Sequence, residues 1–218
     1  MTEEKTIKMN KLTVEQFCDI LASFEPIPGG GSVAALCGAL SSALSHMVTG
    51  LTLGREKYRD VWETLSPLEA ESKRLIKQLL SLTEEDTAAY LKVSKAYKLP
   101  RTSAEEKEKR RKALQEALKE ATRVPLETLK TMVRVMEMAE KVTSLGNRNA
   151  RSDAAAAVHI AHAAATIASY NVRINIADIE DKTFVERCKE EERSAFIRIK
   201  ESYKNVEKTL IEYFGDVI

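Results

Sequence analysis

The chain has 218 residues, of which 44% are hydrophobic, so it can bury a sizeable core. Lys and Arg total 34 against 33 Asp and Glu, and the formal net charge of +1 provides no overall field to attract nucleic acid or an anionic membrane. The three cysteines follow no CxxC pattern and suit reduced thiols, and the polar first five residues lack the regions of a signal peptide. These features predict a cytoplasmic protein that binds neither nucleic acid nor membrane.

The first helical signal is a capping box. Thr13 and Gln16 are spaced so that each side chain can accept a hydrogen bond from an early backbone N–H, which predicts a helix from Thr13 to about Phe24. Pro26 and Pro28 then exclude helix, because proline lacks an N–H and biases its predecessor toward extended backbone.

A second helix follows the glycine-rich loop. Ser32 is expected to be its N-cap, and residues 33–53 contain no Asp, Glu, Lys or Arg. Small residues recur along one stripe of it, which favours close approach of other helices or a place at a subunit interface: Ala35, Gly38, Ser42, Ser45, Thr49 and Thr52. Its serines, threonines and His46 make it too polar for a lone membrane span, so we expect a core helix.

The remaining elements are also helical. Ser66 and Pro67 predict the start of a helix that continues to about Tyr97. Ser103 and Glu106 form a capping box for a charged helix to about Thr122.

Proline and glycine divide the last third of the chain. Pro125 is expected to break or kink the pattern, which then resumes as far as Gly146. An alanine-rich helix to about Ile176 follows the segment 147–153, and a final helix from Thr183 to about Phe214 stops at Gly215. The sequence predicts an all-α fold of six to eight helices in a single domain, residues 1–218.

The glycine-rich loop does not match the known nucleotide-binding motifs. Gly29, Gly31 and Ala34 formally satisfy GxGxx[GA], but the preceding prolines rule out the strand that a dinucleotide fingerprint needs. No lysine follows the glycines as a Walker A loop requires. Two alternatives stay open: a tight turn packed under another helix, and a loop whose backbone N–H groups contact a ligand at a helix N-terminus.

The sequence motifs support neither a metal site nor a catalytic nucleophile. His159 and His162 are three residues apart, but neither an HExxH motif nor a second Cys/His cluster accompanies them, so no metal site is predicted. His46 is most simply a hydrogen-bonded core histidine. Ser32 lies outside a GxSxG elbow and is a cap or ligand contact rather than a nucleophile.

Two carboxylates carry the possible chemistry. Asp153 and Asn171 are eighteen residues apart on one helix, so they share a face but lie roughly 27 Å apart along its axis. One small reaction centre in one subunit cannot use both, whereas a long substrate or an antiparallel dimer could. Asp86 and Tyr90 form an i,i+4 pair that either holds a polar ring or is a surface pair, and the local pattern favours the surface.

Several motifs in order resemble the cyclodeaminase/cyclohydrolase family, which includes the C-terminal domain of formiminotransferase-cyclodeaminase and stand-alone bacterial relatives. They are PxPGGGS with the Ala/Gly/Ser helix after it (26–52), Asp86-x-x-Ala89-Tyr90, GNxNxxSD (146–153), Asn171-Val172 and Asn175. The resemblance covers nearly the whole chain. No formiminotransferase domain precedes these motifs here, so the resemblance implies a stand-alone, helical, dimeric folate enzyme with no cofactor beyond tetrahydrofolate.

The resemblance implies that 5-formiminotetrahydrofolate closes to 5,10-methenyltetrahydrofolate with loss of ammonia. Such a reaction needs N10 held against the formimino carbon, proton transfer and stabilisation of a cation. Asp153 is the leading candidate for the acid/base or counter-charge, and Asp86 is second.

Substrate contacts are assigned on the same resemblance. The proposed cradle for the pterin or aminobenzoyl part consists of Pro28, Gly29, Gly30, Gly31 and Ser32, and Tyr90, Asn147 and Asn149 are further substrate contacts. The candidates for binding the glutamate carboxylates are Arg55, Lys57, Arg148 and Arg151.

Two other functions remain open. Relatives with the same motifs hydrolyse 5,10-methenyltetrahydrofolate to the 10-formyl form, and the motifs do not separate the two reactions. A non-catalytic helical interaction module is the third hypothesis, and it predicts no folate-dependent change in melting temperature.

Overall fold

The computed structural model describes residues 8–215, which form six α-helices and no β-strand. The helices are α1 (Val14–Leu21), α2 (Gly30–Leu53), α3 (Trp62–Tyr97), α4 (Ala104–Leu145), α5 (Arg151–Ile176) and α6 (Lys182–Phe214). Short 3-10 turns occur at Met9–Lys11, Glu56–Val61 and Arg148–Ala150. The all-α prediction is confirmed, and six helices lie within the predicted range.

Helix α2 lies at the centre, in contact with α3, α4 and α5. All six residues of its predicted small stripe are buried. A Cβ built on Gly38 would lie 2.3 Å from Met132 Cε of α4, so any larger residue would require the flexible end of the Met132 side chain to move. By length and composition α2 could cross a membrane, but half of its most apolar window is buried inside the bundle. The prediction of a core helix that others approach closely is confirmed.

Helix α4 continues through Pro125, so of the two predicted alternatives, a break or a kink, the break is wrong. Proline at this position cannot donate to the carbonyl of Ala121 four residues earlier. Asn175 of α5 replaces the missing donor, since its Nδ2 lies 2.8 Å from Ala121 O. The helix therefore stays intact because a neighbouring helix supplies the missing hydrogen bond.

Three other helix ends also differ from the sequence predictions. Helix α2 begins at Gly30 with Gly29 as its N-cap, so Ser32 is not a cap but a buried residue of the first turn. Helix α3 begins at Trp62, before Ser66 and Pro67, and the Ser66 hydroxyl donates back to the Trp62 carbonyl. Helix α1 ends at Leu21, three residues before the predicted end.

The predicted caps that depend on neighbouring residues are confirmed. Thr13 and Ser103 both form complete capping boxes. Gly146 ends α4, and Gly215 ends α6 with a φ of 75°, a conformation that favours glycine. Local hydrogen-bonding patterns therefore set these four boundaries.

Helices α2 and α5 run antiparallel along their full length. Gly30 lies beside Asn171, Ser41 Oγ donates to Ala157 O at 2.7 Å, and the Asn147 N–H donates to Thr52 Oγ1 at 2.9 Å. This arrangement places the two unusual motifs of the sequence at opposite ends of the same helix pair. We call Gly29–Ser32 with Asp86 and Asn171 the glycine end, and Asn147–Asp153 with Thr52 and Tyr58 the asparagine end.

Candidate active site

The glycine end brings α3 and α5 against the first turn of α2. Ser32 is fully buried, and its hydroxyl donates to Asp86 Oδ2 at 2.7 Å and lies 3.3 Å from Thr87 Oγ1. A Cβ on Gly31 would lie 2.1 Å from Asp86 Oδ1. Any side chain at residue 31 would therefore displace the carboxylate, which explains this glycine by close approach rather than by flexibility.

The Asp86 carboxyl is the chemically unusual group of this end. Burial raises its pKa above the ordinary value, and the hydrogen bond from Ser32 offsets part of that rise. A carboxyl with a raised pKa can hold and release a proton closer to neutral pH than an exposed Asp can. The sequence pattern favoured an exposed surface pair with Tyr90, and this is wrong for Asp86; the Tyr90 side chain itself is exposed.

The other loop residues surround the same turn. Pro28 is buried and follows a cis peptide bond, and Gly29 is half-buried. Gly30 is exposed, and a Cβ there would lie 3.4 Å from Asn171 Nδ2, which itself donates to Ile167 O. A ligand that reaches this turn would therefore meet Gly30 first, with Asp86 on one side and Asn171 on the other.

At the asparagine end, Asn147 holds the backbone together. This residue is buried; its Nδ2 donates to Leu51 O at 3.1 Å and its Oδ1 accepts from the Asn149 N–H at 3.1 Å. The Tyr58 hydroxyl also donates to Asn147 Oδ1, at 3.2 Å. The polar atoms of the Asn147 side chain are thus occupied within the protein, which fits a positioning residue better than the predicted substrate contact.

Tyr58 is the residue that sequence reasoning missed. Its hydroxyl accepts from the Arg148 N–H at 3.0 Å, and this hydrogen bond is the main cause that lowers the Tyr58 pKa. Lys57 Nζ lies 4.8 Å from the centre of the Tyr58 ring. In the sequence, the only signal for Tyr58 is its place in the short cation-rich segment after α2. Its hydrogen-bond partner Arg148 lies ninety residues away, so no local pattern predicts the contact.

The predicted tail-binding cations divide into two groups. Arg55, Lys57 and Arg148 are exposed around the C-terminus of α2. Arg151 instead stacks its guanidinium 3.6 Å from the centre of the Tyr213 ring of α6. Three of the four cations can therefore act on one ligand, whereas Arg151 is engaged by α6.

Asp153 is half-buried in the first turn of α5. Among the described residues, no hydrogen-bond or ion-pair partner reaches its carboxylate. Asn149 is exposed, and its backbone rather than its side chain contacts Asn147. Asp153 therefore keeps a free charge that a bound cation could use.

The structure does not bring the two ends together within one chain. Asp86 and Asn171 meet at the start of α2, whereas Asp153 and Asn147 lie near its end, and the separation along α5 is about 27 Å. The glycine cradle and the leading carboxylate candidate of the sequence analysis are thus separate in a single chain.

The three histidines contact side chains of other helices. Within residues 8–215, no three His, Cys, Asp or Glu side chains converge as a metal site; His159 and His162 instead contact Tyr203, and His46 bonds to Ser72.

A cavity of about 920 Å³ lies between the end of α5 and the first half of α6. Its cations are Arg173, Lys182, Lys189, Arg193 and Lys200. None of the predicted site residues lines this groove.

Comparison with known proteins gives a consistent result. A sequence model described as formiminotransferase-cyclodeaminase matches residues 13–194. The methenyltetrahydrofolate cyclohydrolase of Methylorubrum extorquens is 42% identical over 82% of this chain and 86% of its own length. The formimidoyltransferase-cyclodeaminase of Mus musculus is 35% identical over 73% of this chain, which spans only 30% of that relative. The fold of this chain is similar to that in the crystal structure of the formiminotetrahydrofolate cyclodeaminase of Thermotoga maritima, with a TM-score of 0.83 and 34% sequence identity. The match covers 93% of this chain and 97% of the Thermotoga chain.

Proposed function

Because the chain belongs to the formiminotransferase-cyclodeaminase family, we propose that it acts on the one-carbon unit that bridges N5 and N10 of tetrahydrofolate. The observation that carries this proposal is the partly buried Asp86 carboxyl beneath the PGGGS turn, held by the Ser32 hydroxyl and with a raised pKa. Reactions at this carbon pass through a tetrahedral adduct, and each requires a group that gives or takes a proton.

We place hydrolysis of 5,10-methenyltetrahydrofolate first. In that reaction water adds to the bridging carbon, the bond to N5 breaks, and 10-formyltetrahydrofolate and a proton are released. The 42% identity to a cyclohydrolase that this chain matches over 86% of its length supports this order.

Cyclodeamination is the second candidate. Here N10 attacks the carbon of the 5-formimino group, and ammonia leaves as the methenyl bridge forms. The support is the cyclodeaminase of Thermotoga maritima, which this chain covers over 97% of its length. The residues at both ends of α2 can serve either reaction, because each reaction passes through a tetrahedral adduct at the carbon between N5 and N10.

The two carboxylates have different tasks in this proposal. Asp86, partly buried and hydrogen-bonded to Ser32, transfers the proton at the reacting nitrogen or water. Asp153, which has no hydrogen-bond or ion-pair partner among residues 8–215, provides the counter-charge to the cationic methenyl group or its precursor from a second copy of the chain, because the two ends are about 27 Å apart within one chain. The exposed backbone at Gly30 contacts the pterin or aminobenzoyl part, where a side chain would keep it away.

The glutamate carboxylates of the substrate would bind to Arg55, Lys57 and Arg148. We further propose that the protein works in the cytoplasm as a homodimer and needs no cofactor beyond its folate substrate. The small formal net charge of +1 and three cysteines outside any CxxC pattern support the compartment.

The test uses purified protein and both substrates. Loss of the methenyl absorbance from 5,10-methenyltetrahydrofolate, above the spontaneous rate, supports hydrolysis. Appearance of that absorbance from 5-formiminotetrahydrofolate, with one ammonia released per turnover, supports cyclodeamination. Asp86→Asn, matched in shape and still able to accept from Ser32, should lower turnover at least tenfold. Absence of both activities, with no folate-dependent rise in melting temperature, would instead favour the non-catalytic interaction module.

A further inference from the structure

The cavity between the end of α5 and the first half of α6, here called the α5–α6 groove, shares no lining residue with the glycine end or the asparagine end. We propose that this groove binds an extended, acidic segment of a partner protein that also carries apolar side chains. The inference is independent of the proposed folate reaction, because it depends on other residues.

One wall of the α5–α6 groove is a row of cations on α6. Its members follow each other at intervals of seven, four and seven residues: Lys182, Lys189, Arg193 and Lys200. At 100° per residue these intervals return each side chain to within about 20° of one direction, and at 1.5 Å per residue the row is roughly 27 Å long. A compact anion would contact one or two of these cations, whereas an extended peptide of about eight residues is long enough to contact all four.

Most of this row has no carboxylate partner. Among the row's members, an ion pair within residues 8–215 reaches only Lys189, from Glu186 at 2.8 Å. The other three cations are exposed and keep their charge for a ligand. Because the formal net charge of the chain is only +1, this local row, rather than an overall field, would attract an acidic partner.

Apolar side chains lie beside the cations and form the rest of the groove. They are Ile176, Ile179, Val185, Phe196 and Ile197. A small anion would leave these side chains in contact with water. A segment with aliphatic or aromatic residues among its carboxylates would cover them while its charges reach the row.

A buried carboxylate in the groove favours a peptide over a nucleic acid. Glu192 lines the groove and is 6% exposed. Its Oε1 accepts from Arg173 Nε at 3.1 Å, from Arg173 Nη2 at 2.9 Å and from the Ser169 hydroxyl. No donor within residues 8–215 reaches its Oε2, so this oxygen can accept from a ligand. An extended peptide has backbone N–H donors at regular intervals, whereas the phosphates of DNA are anionic acceptors that Glu192 would repel.

The charge of the partner is tested by fluorescence polarisation with a labelled synthetic peptide, Glu-Glu-Leu-Glu-Glu-Leu-Glu-Glu. We expect saturable binding that is at least tenfold tighter than that of the peptide with Lys in place of Glu, and that weakens as the salt concentration rises. Arg193→Glu should weaken binding at least tenfold, because an unpaired cation becomes a repelling carboxylate. Lys208→Glu makes the same charge change at an exposed position of α6 outside the groove, and it should stay within about twofold of wild type.

The apolar part of the partner is tested with Ile197→Ser. Ile197 is 50% exposed in the groove, whereas Ile211, also on α6, is 48% exposed outside it, so Ile211→Ser is the matched control. Ile197→Ser should weaken binding of the Glu/Leu peptide at least threefold, and Ile211→Ser should leave it unchanged. A peptide of eight glutamates should bind wild-type protein at least threefold more weakly than the Glu/Leu peptide does.

Several results would overturn the proposal. They are a lack of saturable binding of the Glu/Leu peptide, equal affinity for the eight-glutamate peptide, and tighter binding of a single-stranded oligodeoxynucleotide. A lower mass of the Ile197→Ser protein in light scattering would also overturn it, because the groove would then be a contact between copies of the chain.

Folate turnover separates this proposal from the proposed function. Arg193→Glu and Ile197→Ser proteins should turn over folate at the wild-type rate, since neither residue belongs to the candidate active site. Peptide binding by a wild-type protein that turns over no folate would contradict the proposed function and support the groove.

Discussion

The two ends of the α2–α5 pair both place polar side chains between helices but use them differently. At the glycine end, Asp86 is pressed against the backbone of Gly31 and has a raised pKa. At the asparagine end, Asn147 uses its side-chain atoms on Leu51, Tyr58 and Asn149. One end contains a partly buried carboxyl whose charged form is disfavoured by burial, whereas the other satisfies its buried polar groups internally.

This difference indicates that the glycine end is suited to chemistry and that the asparagine end stabilises the local fold. Burial of an ionised carboxyl costs stability, and a partly buried carboxyl with a shifted pKa is a candidate for chemistry. A satisfied asparagine stabilises a turn and presents its neighbours, here Asp153 and exposed cations, to a ligand. Substitutions at the glycine end should therefore affect activity most, and those at the asparagine end should affect stability most.

The largest expected effect is that of Gly31→Ala. The added methyl group would lie 2.1 Å from Asp86 Oδ1, so the carboxylate or the α2 turn must move. We expect at least a hundredfold loss of folate turnover and a destabilisation of about 2 kcal/mol, measured by steady-state kinetics and urea unfolding.

Gly29→Ala is its matched control. A Cβ at residue 29 would make only an ordinary contact with Pro26 O at 3.5 Å. Turnover within about threefold of wild type is expected, since the strain is local to residue 31. Equal losses in both variants would show that loop flexibility, rather than the contact with Asp86, is what matters.

The next effect is expected for Asn147→Ala. Its removal leaves the Leu51 carbonyl and the Asn149 N–H without their partners, and the expected loss is about 2–3 kcal/mol in urea unfolding. Asn149→Ala, which keeps the backbone N–H that bonds to residue 147, should stay within about 0.5 kcal/mol of wild type. An Asn147→Ala protein with the same free energy of unfolding as wild type would contradict the proposal that Asn147 stabilises this turn.

A smaller, pH-dependent effect is expected for Asp86→Asn. Because the folded pKa of Asp86 lies above its unfolded value, ionisation costs stability as the pH rises through the folded pKa, and this cost is absent below the unfolded value near pH 4. The free energy of unfolding of the variant should therefore exceed that of wild type by about 1 kcal/mol at pH 8 and by little at pH 4, measured by urea unfolding. A gain that is the same at both values would contradict a buried, ionised carboxylate.

The smallest effect is expected for Tyr58→Phe. The variant loses the hydroxyl that joins Asn147 Oδ1 to the Arg148 N–H, while the Asn149 N–H still bonds to Asn147. A fall in melting temperature of less than about 4 °C is expected, with a rise in KM larger than the change in kcat if Arg148 binds the substrate. An unchanged KM would place Arg148 outside the substrate site.

Elements with local signals were predictable from the sequence. The capping boxes at Thr13 and Ser103, and the stops at Gly146 and Gly215, were confirmed because the groups that satisfy each other lie within a few residues. The small stripe of α2 was also predictable, because helical periodicity by itself places those residues on one side.

Two predictions failed where a residue distant in sequence forms the relevant hydrogen bond. Pro125 predicts a break or a kink, but the helix is not broken, and Asn175 of α5 donates to the Ala121 carbonyl in place of the missing N–H. Ser32 predicts an N-cap, but it lies in the first turn of α2, where its hydroxyl donates to Asp86 of α3. In both cases a tertiary hydrogen bond overrides a local preference of comparable strength.

The sequence by itself determined the all-α class, the uncharged central helix and the motifs that mark the family, because these depend on periodicity and on residue types in fixed order. Only the tertiary structure decided that Asp86 lies against Gly31, that Asn147 is a support, and that the two motifs occupy opposite ends of one helix pair. The physical reason is that burial, close contact and pKa depend on which helices pack together, and side-chain periodicity does not specify that choice.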